Sequence, residues 1–230
     1  MPISRRSKML LALPACLAGY LVIVACWAYV TFDNVLADVH TQPEALLTAR
    51  QTEILTLVED PTFFHHSGIS IGNGQGFATI SSAVARDVYL SGADLEGPTG
   101  VLQTLYRGVF SCCKKVDLGR DVMAVVLNAR LNKESQLAIY VSYVYMGRYG
   151  NQQIRGLPQA AKNYVGKKLS QTTEDEFIGL VAMIKAPNQF HPIRSPIVYR
   201  ARVDNIRALV SGKCVPGGWF DTSFEQCRTS

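Results

Sequence analysis

An uncharged, almost wholly apolar run from residue 9 to residue 30 places the strongest constraint on how this 230-residue chain can fold. Its roughly 22 residues match the ~20 that an α-helix needs to cross the hydrocarbon core of a bilayer. Three basic residues precede the run and two acidic residues follow it: Arg5, Arg6 and Lys8, and then Asp33 and Asp38. Because basic residues stay on the cytoplasmic side of a membrane, this order predicts a single-pass anchor with the following domain on the outer face.

The same apolar run has two other interpretations. A cleaved signal peptide carries a shorter apolar core, of about 7–15 residues. The segment Ile23-Val24-Ala25-Cys26 resembles the processing site of bacterial lipoproteins, which would place a lipid on Cys26. The run continues past that cysteine, which favours the uncleaved anchor, and both the anchor and the lipid-modified form keep the protein at the membrane.

The charge of the chain gives little support to a nucleic-acid partner. The formal net charge is +5, and without the three basic residues that precede the apolar run it falls to +2. Nucleic-acid binding through a basic surface requires a larger or more clustered charge. The four histidines and the absence of C-x₂-C spacing also give no signal of a metal site.

Four of the six cysteines lie beyond the apolar run, and an exported domain meets an oxidising compartment. We therefore expect a disulfide between Cys214 and Cys227, which would close a loop in the C-terminal tail. Cys112 and Cys113 are adjacent, so a bridge between them would be strained, and their pairing stays open.

The length allows an anchor and one domain with its own core. We expect five regions: a cytoplasmic basic tail (1–8), a transmembrane anchor (9–30), a stalk (31–45), one globular domain (46–210) and a cysteine-containing tail (211–230). Apolar residues at three- and four-residue spacing predict helices through most of the domain, including 45–58, 135–146 and 174–184. No series of alternating strands stands out, so the prediction is a mainly α fold.

Glu59 is the strongest candidate for chemistry. It ends a predicted apolar helix next to Asp60, and two phenylalanines and two histidines follow within seven residues. A carboxylate in a partly apolar setting has a raised pKa, which suits proton transfer near neutral pH. On the residues alone, a solvated helix end followed by aromatic residues of the core is the favoured interpretation.

The pattern Glu59-Asp60-x-x-Phe63-x-x-His66-x-Gly68 resembles the first signature of the family 51 glycosyltransferases, which polymerise peptidoglycan. Four later blocks resemble the family's remaining signatures in the correct order. The second block covers residues 76–87. The third begins at Arg120 and ends with residues 145–147, and the fourth and fifth cover residues 160–167 and 180–192. Together the five blocks span about residues 46–210, nearly all of the predicted domain.

The resemblance implies a lysozyme-like, mostly helical domain at the bacterial inner membrane. It implies that lipid-linked disaccharide (lipid II) is joined into glycan chains with inversion and loss of undecaprenyl pyrophosphate. Glu59 would be the general base, and a divalent metal (Mg or Mn) can assist in the family. Partners would be the lipid-linked precursor, the membrane and other cell-wall synthesis proteins. The substrate-binding residues would be Thr79, Arg86, Arg120 and Lys167. The residues that support the first motif would be Asp60, Phe63, His66 and Gly68.

The chain departs from the family pattern at polar positions. Ala124 stands where the third signature has a second glutamate, and small residues replace polar ones at Ala78, Ser82 and Ala83. Two expectations follow: a divergent polymerase with impaired activity, or a degenerate module that binds the precursor or an envelope partner without turnover. A lysozyme-like hydrolase is disfavoured, because the basic blocks suit a pyrophosphate donor.

Overall fold

The computed structural model describes residues 5–71, 78–112 and 117–225, with side chains from residue 13 onward. Within these residues the chain forms nine α-helices and one antiparallel hairpin. The elements are α1 (Arg5–Ala37), α2 (Ala49–Glu59), α3 (Ile80–Ala85), α4 (Gly97–Cys112), α5 (Leu118–Arg130), α6 (Lys133–Tyr143), β1 (Tyr145–Tyr149), β2 (Gln152–Arg155), α7 (Leu157–Ala160), α8 (Glu174–Ile184) and α9 (Pro196–Val210). A π-helical turn extends α3 over Arg86–Leu90, and another extends α7 over Ala161–Val165. The prediction of a mainly helical chain with one N-terminal apolar helix is confirmed.

Helix α1 has two differently packed halves. Leu13–Ala37 is long and apolar enough to cross a membrane. Its first half exposes large apolar side chains such as Leu13 and Val22, whereas Trp27 and Phe32 are buried against the domain. The indole N–H of Trp27 donates to the carbonyl oxygen of Thr99 at 3.0 Å. Residues 31–37, which the sequence assigns to a stalk, therefore continue a helix that packs on the domain.

Helix α8 forms the centre of the domain. Every residue from Phe177 to Ile184 is buried. Its N-terminus is set by Thr173, whose hydroxyl accepts from the N–H of Glu176 while the Glu176 carboxylate accepts from the N–H of Thr173. Such a reciprocal cap satisfies donors that the first helical turn leaves free. The helix predicted over 174–184 is confirmed with the same bounds.

The hairpin corrects one prediction. The sequence predicts helix through residue 146, but α6 ends at Tyr143 and β1 begins at Tyr145. Gly147 has a φ of +87°, a backbone conformation that helices do not contain, and a Cβ at this position would lie 3.1 Å from Pro187. The apolar residues before it fit a helix and a strand equally well, so periodicity alone could not locate the boundary.

Of the predicted disulfide pair Cys214 and Cys227, only Cys214 lies among the described residues. Cys214 is disulfide-bonded. Its predicted partner Cys227, like Cys113, lies outside the described residues, so the pairing stays a prediction. Cys16, Cys26 and Cys112 are exposed.

Candidate active site

A cleft of about 450 Å³ opens where three helix ends meet α6, α9 and the C-terminal tail. Its wall combines the end of α2, the start of α3, the middle of α6, the residue after α8, and one face of α9. The polar and charged side chains that line it are Glu59, Thr79, Arg86, Tyr140, Lys185 and Arg202, with Thr222 from the tail and Tyr145 from β1. Segments far apart in sequence therefore supply one site.

Glu59 lies at the C-terminal end of α2, where the chain leaves the helix at Asp60. The hydroxyl of Tyr140 donates to Glu59 Oε2 at 3.3 Å. Burial in the cleft raises the pKa of Glu59, while Arg202, the Tyr140 hydrogen bond and Lys185 act in the opposite direction. The carboxylate is therefore held between burial, which disfavours its charged form, and three polar contacts that favour it.

Arg202 is the most enclosed cation of the cleft, with 3% of its surface exposed. Its Nε donates to the carbonyl oxygen of Ala182 at 2.9 Å, and one Nη donates to that of Thr222 at 3.1 Å. The guanidinium also lies 4.9 Å from the ring centroid of Phe190. Burial lowers the pKa of Arg202, and the charge of Glu59 opposes that shift. These contacts hold a cation in a fixed orientation beside Glu59.

Lys185 follows α8 and enters the same wall. Its Nζ donates to Ser223 Oγ at 2.6 Å. Burial and then the neighbouring charge of Arg202 lower the pKa of Lys185 to about 8, while Glu59, Glu225 and Asp221 oppose that shift. The ammonium group is therefore close to its titration range at neutral to mildly alkaline pH.

Arg86 approaches from the π-helical turn after α3. Its Nε and one Nη donate to the two carboxylate oxygens of Asp87 at 2.8 Å and 3.0 Å. This bidentate pair orients the guanidinium plane at the cleft wall. Thr79, the N-cap of α3, lies in the same wall, and its side chain accepts from the N–H of Ser82.

The residues after Glu59 form a buried hydrogen-bonded scaffold. Asp60 is fully buried, and its Oδ2 accepts from the ring of His66 and from the N–H of Ile80, both at 2.9 Å. His66 Nδ1 accepts from the N–H of Gly68 at 2.9 Å, so the proton of a neutral imidazole lies on Nε2 and points to Asp60. Phe63 is fully buried beside them. These contacts tie the end of α2 to the start of α3.

Gly68 closes this scaffold. Its φ is +114°, and a Cβ would lie 2.6 Å from the carbonyl oxygen of Ala124. The hydroxyl of Thr79 donates to the Gly68 carbonyl oxygen at 2.8 Å. Ala124 itself is fully buried under this turn and is not part of the described cleft wall.

Two predicted substrate-binding residues lie away from the described cleft wall. Arg120 is buried in α5, with one Nη 2.9 Å from Asp121 Oδ1. Lys167 is half-exposed, and its Nζ lies 2.6 Å from Glu176 Oε1 near the start of α8. Their roles stay predictions, whereas Glu59, Thr79 and Arg86 do share one cleft.

Sequence reasoning did not select Tyr140, Lys185 or Arg202 as site residues. Tyr140 fits the apolar spacing of α6, and Arg202 is one of three arginines on α9. Burial separates them: Arg202 is buried, Arg200 is exposed, and Arg207 pairs with Asp175 at the surface. The one sequence signal for Lys185 as a site residue is its position within the block 180–192.

The donor set of the cleft does not fit a divalent ion held by the protein. Glu59 is the only carboxylate among the described residues of its wall, and three cations accompany it. No group of three or more His, Cys, Asp or Glu side chains that could hold a metal occurs in the described part of the chain. Mg²⁺ and similar hard cations require several oxygen ligands.

Comparison with known proteins gives the family. The profile of the family described as Transglycosylase matches residues 37–211. Penicillin-binding protein 1B of Escherichia coli (strain K12) is 29% identical over 147 residues, which are 63% of this chain and 17% of that protein. Penicillin-binding protein 1A of Streptococcus oralis is 28% identical over 196 residues, or 79% of this chain and 28% of that protein.

A Cupriavidus necator protein assigned as a transglycosylase is 26% identical over 232 residues, which cover 93% of this chain and 91% of that protein. By contrast, the chain spans about a fifth of the length of the first penicillin-binding relatives that it matches. Since the family profile covers well over half of the chain, this protein belongs to the transglycosylase family.

Proposed function

We propose that this protein polymerises a lipid-linked disaccharide precursor into peptidoglycan glycan chains on the outer face of the bacterial cytoplasmic membrane. The observation that carries the proposal is the cleft itself, in which Glu59 faces Arg86, Lys185 and Arg202. One proton acceptor surrounded by cations suits a sugar transfer whose leaving group is a pyrophosphate.

In the proposed step, Glu59 takes the proton from the 4-hydroxyl of the acceptor sugar. The hydroxyl oxygen forms a bond to the anomeric carbon of the donor, the bond from that carbon to the pyrophosphate oxygen breaks, and the configuration inverts. Undecaprenyl pyrophosphate leaves with the bonding electron pair. The cations stabilise the negative charge that develops on this leaving group.

The environment of Glu59 supports its role as the base. Burial raises the pKa of Glu59, while Arg202, the Tyr140 hydrogen bond and Lys185 oppose that rise. A raised pKa suits a carboxylate that accepts a proton. The Tyr140 hydroxyl, 3.3 Å from Oε2, orients the carboxylate.

The apolar helix α1 supports a location at the membrane, where a lipid-linked substrate resides. Arg130 pairs with Asp33 at 3.0 Å, and Trp27 donates to the carbonyl oxygen of Thr99 in the first turn of α4, so side chains of the domain bind this helix at two places. We propose a single-pass anchor in the inner membrane, with other cell-wall synthesis proteins as neighbours. The lipid-modified alternative at Cys26 would leave the domain on the same side.

The test is glycan polymerisation by the full-length protein in micelles, with labelled lipid-linked disaccharide as substrate. We expect Glu59→Gln to lower the rate by about 10²–10⁴-fold. Glu53→Gln is the matched control, because Glu53 lies on the same helix with 64% of its side chain exposed and away from the described cleft wall. Equal rates for the parent and Glu59→Gln would overturn the assignment of the base.

A second candidate function is binding of the lipid-linked precursor without turnover. It is favoured by the single carboxylate in the described cleft wall and by the burial of Ala124, which stands where the family has a second glutamate. Tight binding of the precursor without glycan product from any variant would support this function. Release of fragments from mature sacculi would instead indicate a hydrolase.

A further inference from the structure

The family match ends at residue 211, yet the chain beyond it returns to the cleft. We infer that residues 221–225, here called the C-terminal segment, are a positioning element that holds Lys185 and Arg202 in place beside Glu59. The contacts are properties of the fold. Only their consequence for sugar transfer rests on the proposed function.

Lys185 and Arg202, two of the three cations in the described cleft wall, are both hydrogen-bonded to the C-terminal segment. Lys185 Nζ donates to Ser223 Oγ at 2.6 Å, and one Nη of Arg202 donates to the carbonyl oxygen of Thr222 at 3.1 Å. Thr222 also lines the cleft directly. The segment is tied to α9 by Asn205, whose Nδ2 donates to the carbonyl oxygen of Ser223 at 3.4 Å.

Phe224 anchors the segment in the core. Its side chain is 1% exposed, and its ring centroid lies 5.5 Å from the guanidinium carbon of Arg202. Its φ is +55°, in the left-handed region that a bulky residue rarely adopts. Such a conformation persists where the surrounding packing imposes it, and it is enriched at functional sites. Arg202 thus lies between the rings of Phe190 and Phe224.

Charges from three elements surround Lys185. Glu59 on α2 and Arg202 on α9 act with opposite sign, and Asp221 and Glu225 of the C-terminal segment add two negative charges. Asp221 also organises the turn, because its carboxylate accepts from the N–H groups of Gly217 and Glu225. The segment therefore supplies both a hydrogen-bond acceptor and negative charge to Lys185, and these favour its protonated form against burial.

This arrangement places two cations side by side in one cleft wall. Without the segment, Lys185 and Arg202 would face each other with Glu59 as their shared counter-charge. The carbonyl oxygen of Thr222 accepts from the buried Arg202 side chain, which would otherwise lose a partner in the protein interior, and the hydroxyl of Ser223 accepts from the amine of Lys185, an exposed residue. Removal of the segment should leave the cations more mobile and less able to meet a pyrophosphate.

The test measures the titration of Lys185 in the full-length protein in micelles, through the ¹³Cε signal of labelled lysine, assigned with Lys185→Arg. We expect Ser223→Ala to lower the midpoint by about 0.5–1 pH unit, because the acceptor for the protonated amine is lost. Ser223→Thr keeps the hydroxyl and should restore the parent midpoint. Val215→Ala is the control, since Val215 belongs to the same tail but is 78% exposed.

An unchanged midpoint in Ser223→Ala would overturn the inference, as would an equal shift in Val215→Ala. Removal of residues 213–230 is the second variant. We expect it to weaken binding of the lipid-linked precursor about tenfold with the helical content retained. The NMR titration requires no turnover, so a shifted midpoint in a protein without polymerase activity would support the positioning role while contradicting the proposed function.

Discussion

Two neighbouring carboxylates, Glu59 and Asp60, lie in opposite kinds of environment. Asp60 is fully buried in a scaffold of short hydrogen bonds that joins α2 to α3. Glu59 turns into a cleft, where its partners are a tyrosine hydroxyl and cations from distant helices. One carboxylate holds the backbone of two helices together and the other faces open space among cations, although the two residues share one peptide bond.

The difference shows that the residues of a conspicuous sequence motif need not all take part in catalysis. His66 resembles a catalytic residue by type, but both of its ring nitrogens are engaged, one with Asp60 and one with the Gly68 N–H. Asp60 Oδ1 has no hydrogen-bond partner among the described residues, but the side chain is closed off from the cleft. The scaffold therefore fixes where Glu59 points, and Asp60, Phe63, His66 and Gly68 are not among the residues of the cleft wall.

The largest effect should come from breaking the scaffold at Asp60. Asp60→Ala leaves the His66 ring and the Ile80 N–H without their acceptor, so we expect the free energy of unfolding to fall by about 3 kcal/mol. Chemical denaturation in micelles measures it. Asp204→Ala removes an exposed carboxylate on α9 and should cost less than about 0.5 kcal/mol. Similar losses for the two variants would contradict a structural role for Asp60.

A smaller loss is expected at the glycine that closes the same scaffold. Gly68→Ala must place a Cβ 2.6 Å from a backbone oxygen at a φ of +114°, and we expect a loss of about 2 kcal/mol. Gly166→Ala isolates the backbone term, because Gly166 has a φ of +76° and no atom within 4 Å of its added Cβ. The difference between the two melting temperatures measures the close approach to Ala124.

The smallest expected effect is the pH dependence of stability that Glu59 confers. The folded-state pKa of Glu59 is raised above its ordinary value of 4.5, so its stabilising contribution is complete below that pH and is lost as pH rises through the raised value. Glu59→Gln has no such group. Its stability relative to the parent should therefore increase with pH above 4.5. A flat difference between pH 4 and pH 8 would contradict the buried setting of Glu59.

Local signals in the sequence predicted some elements well. The threonine cap and the acidic first turn of α8, followed by a continuous apolar stretch, led to the observed bounds. The hairpin was missed because Tyr145 and Met146 suit a helix as well as a strand, and the deciding contact, Gly147 against Pro187, joins residues forty positions apart. Periodicity contains no information about such a contact.

The sequence by itself determined the apolar helix, the mainly α fold and the candidacy of Glu59, because these depend on composition, spacing and a short ordered pattern. Only the tertiary structure decided which cations accompany Glu59. In the sequence Arg202 resembles the other arginines of α9, and only the packed structure shows it buried over two aromatic rings. Lys185 donates to a hydroxyl that lies nearly forty residues later in the chain. Burial and long-range charge belong to the packed chain, and these are the quantities that set the pKa of Glu59.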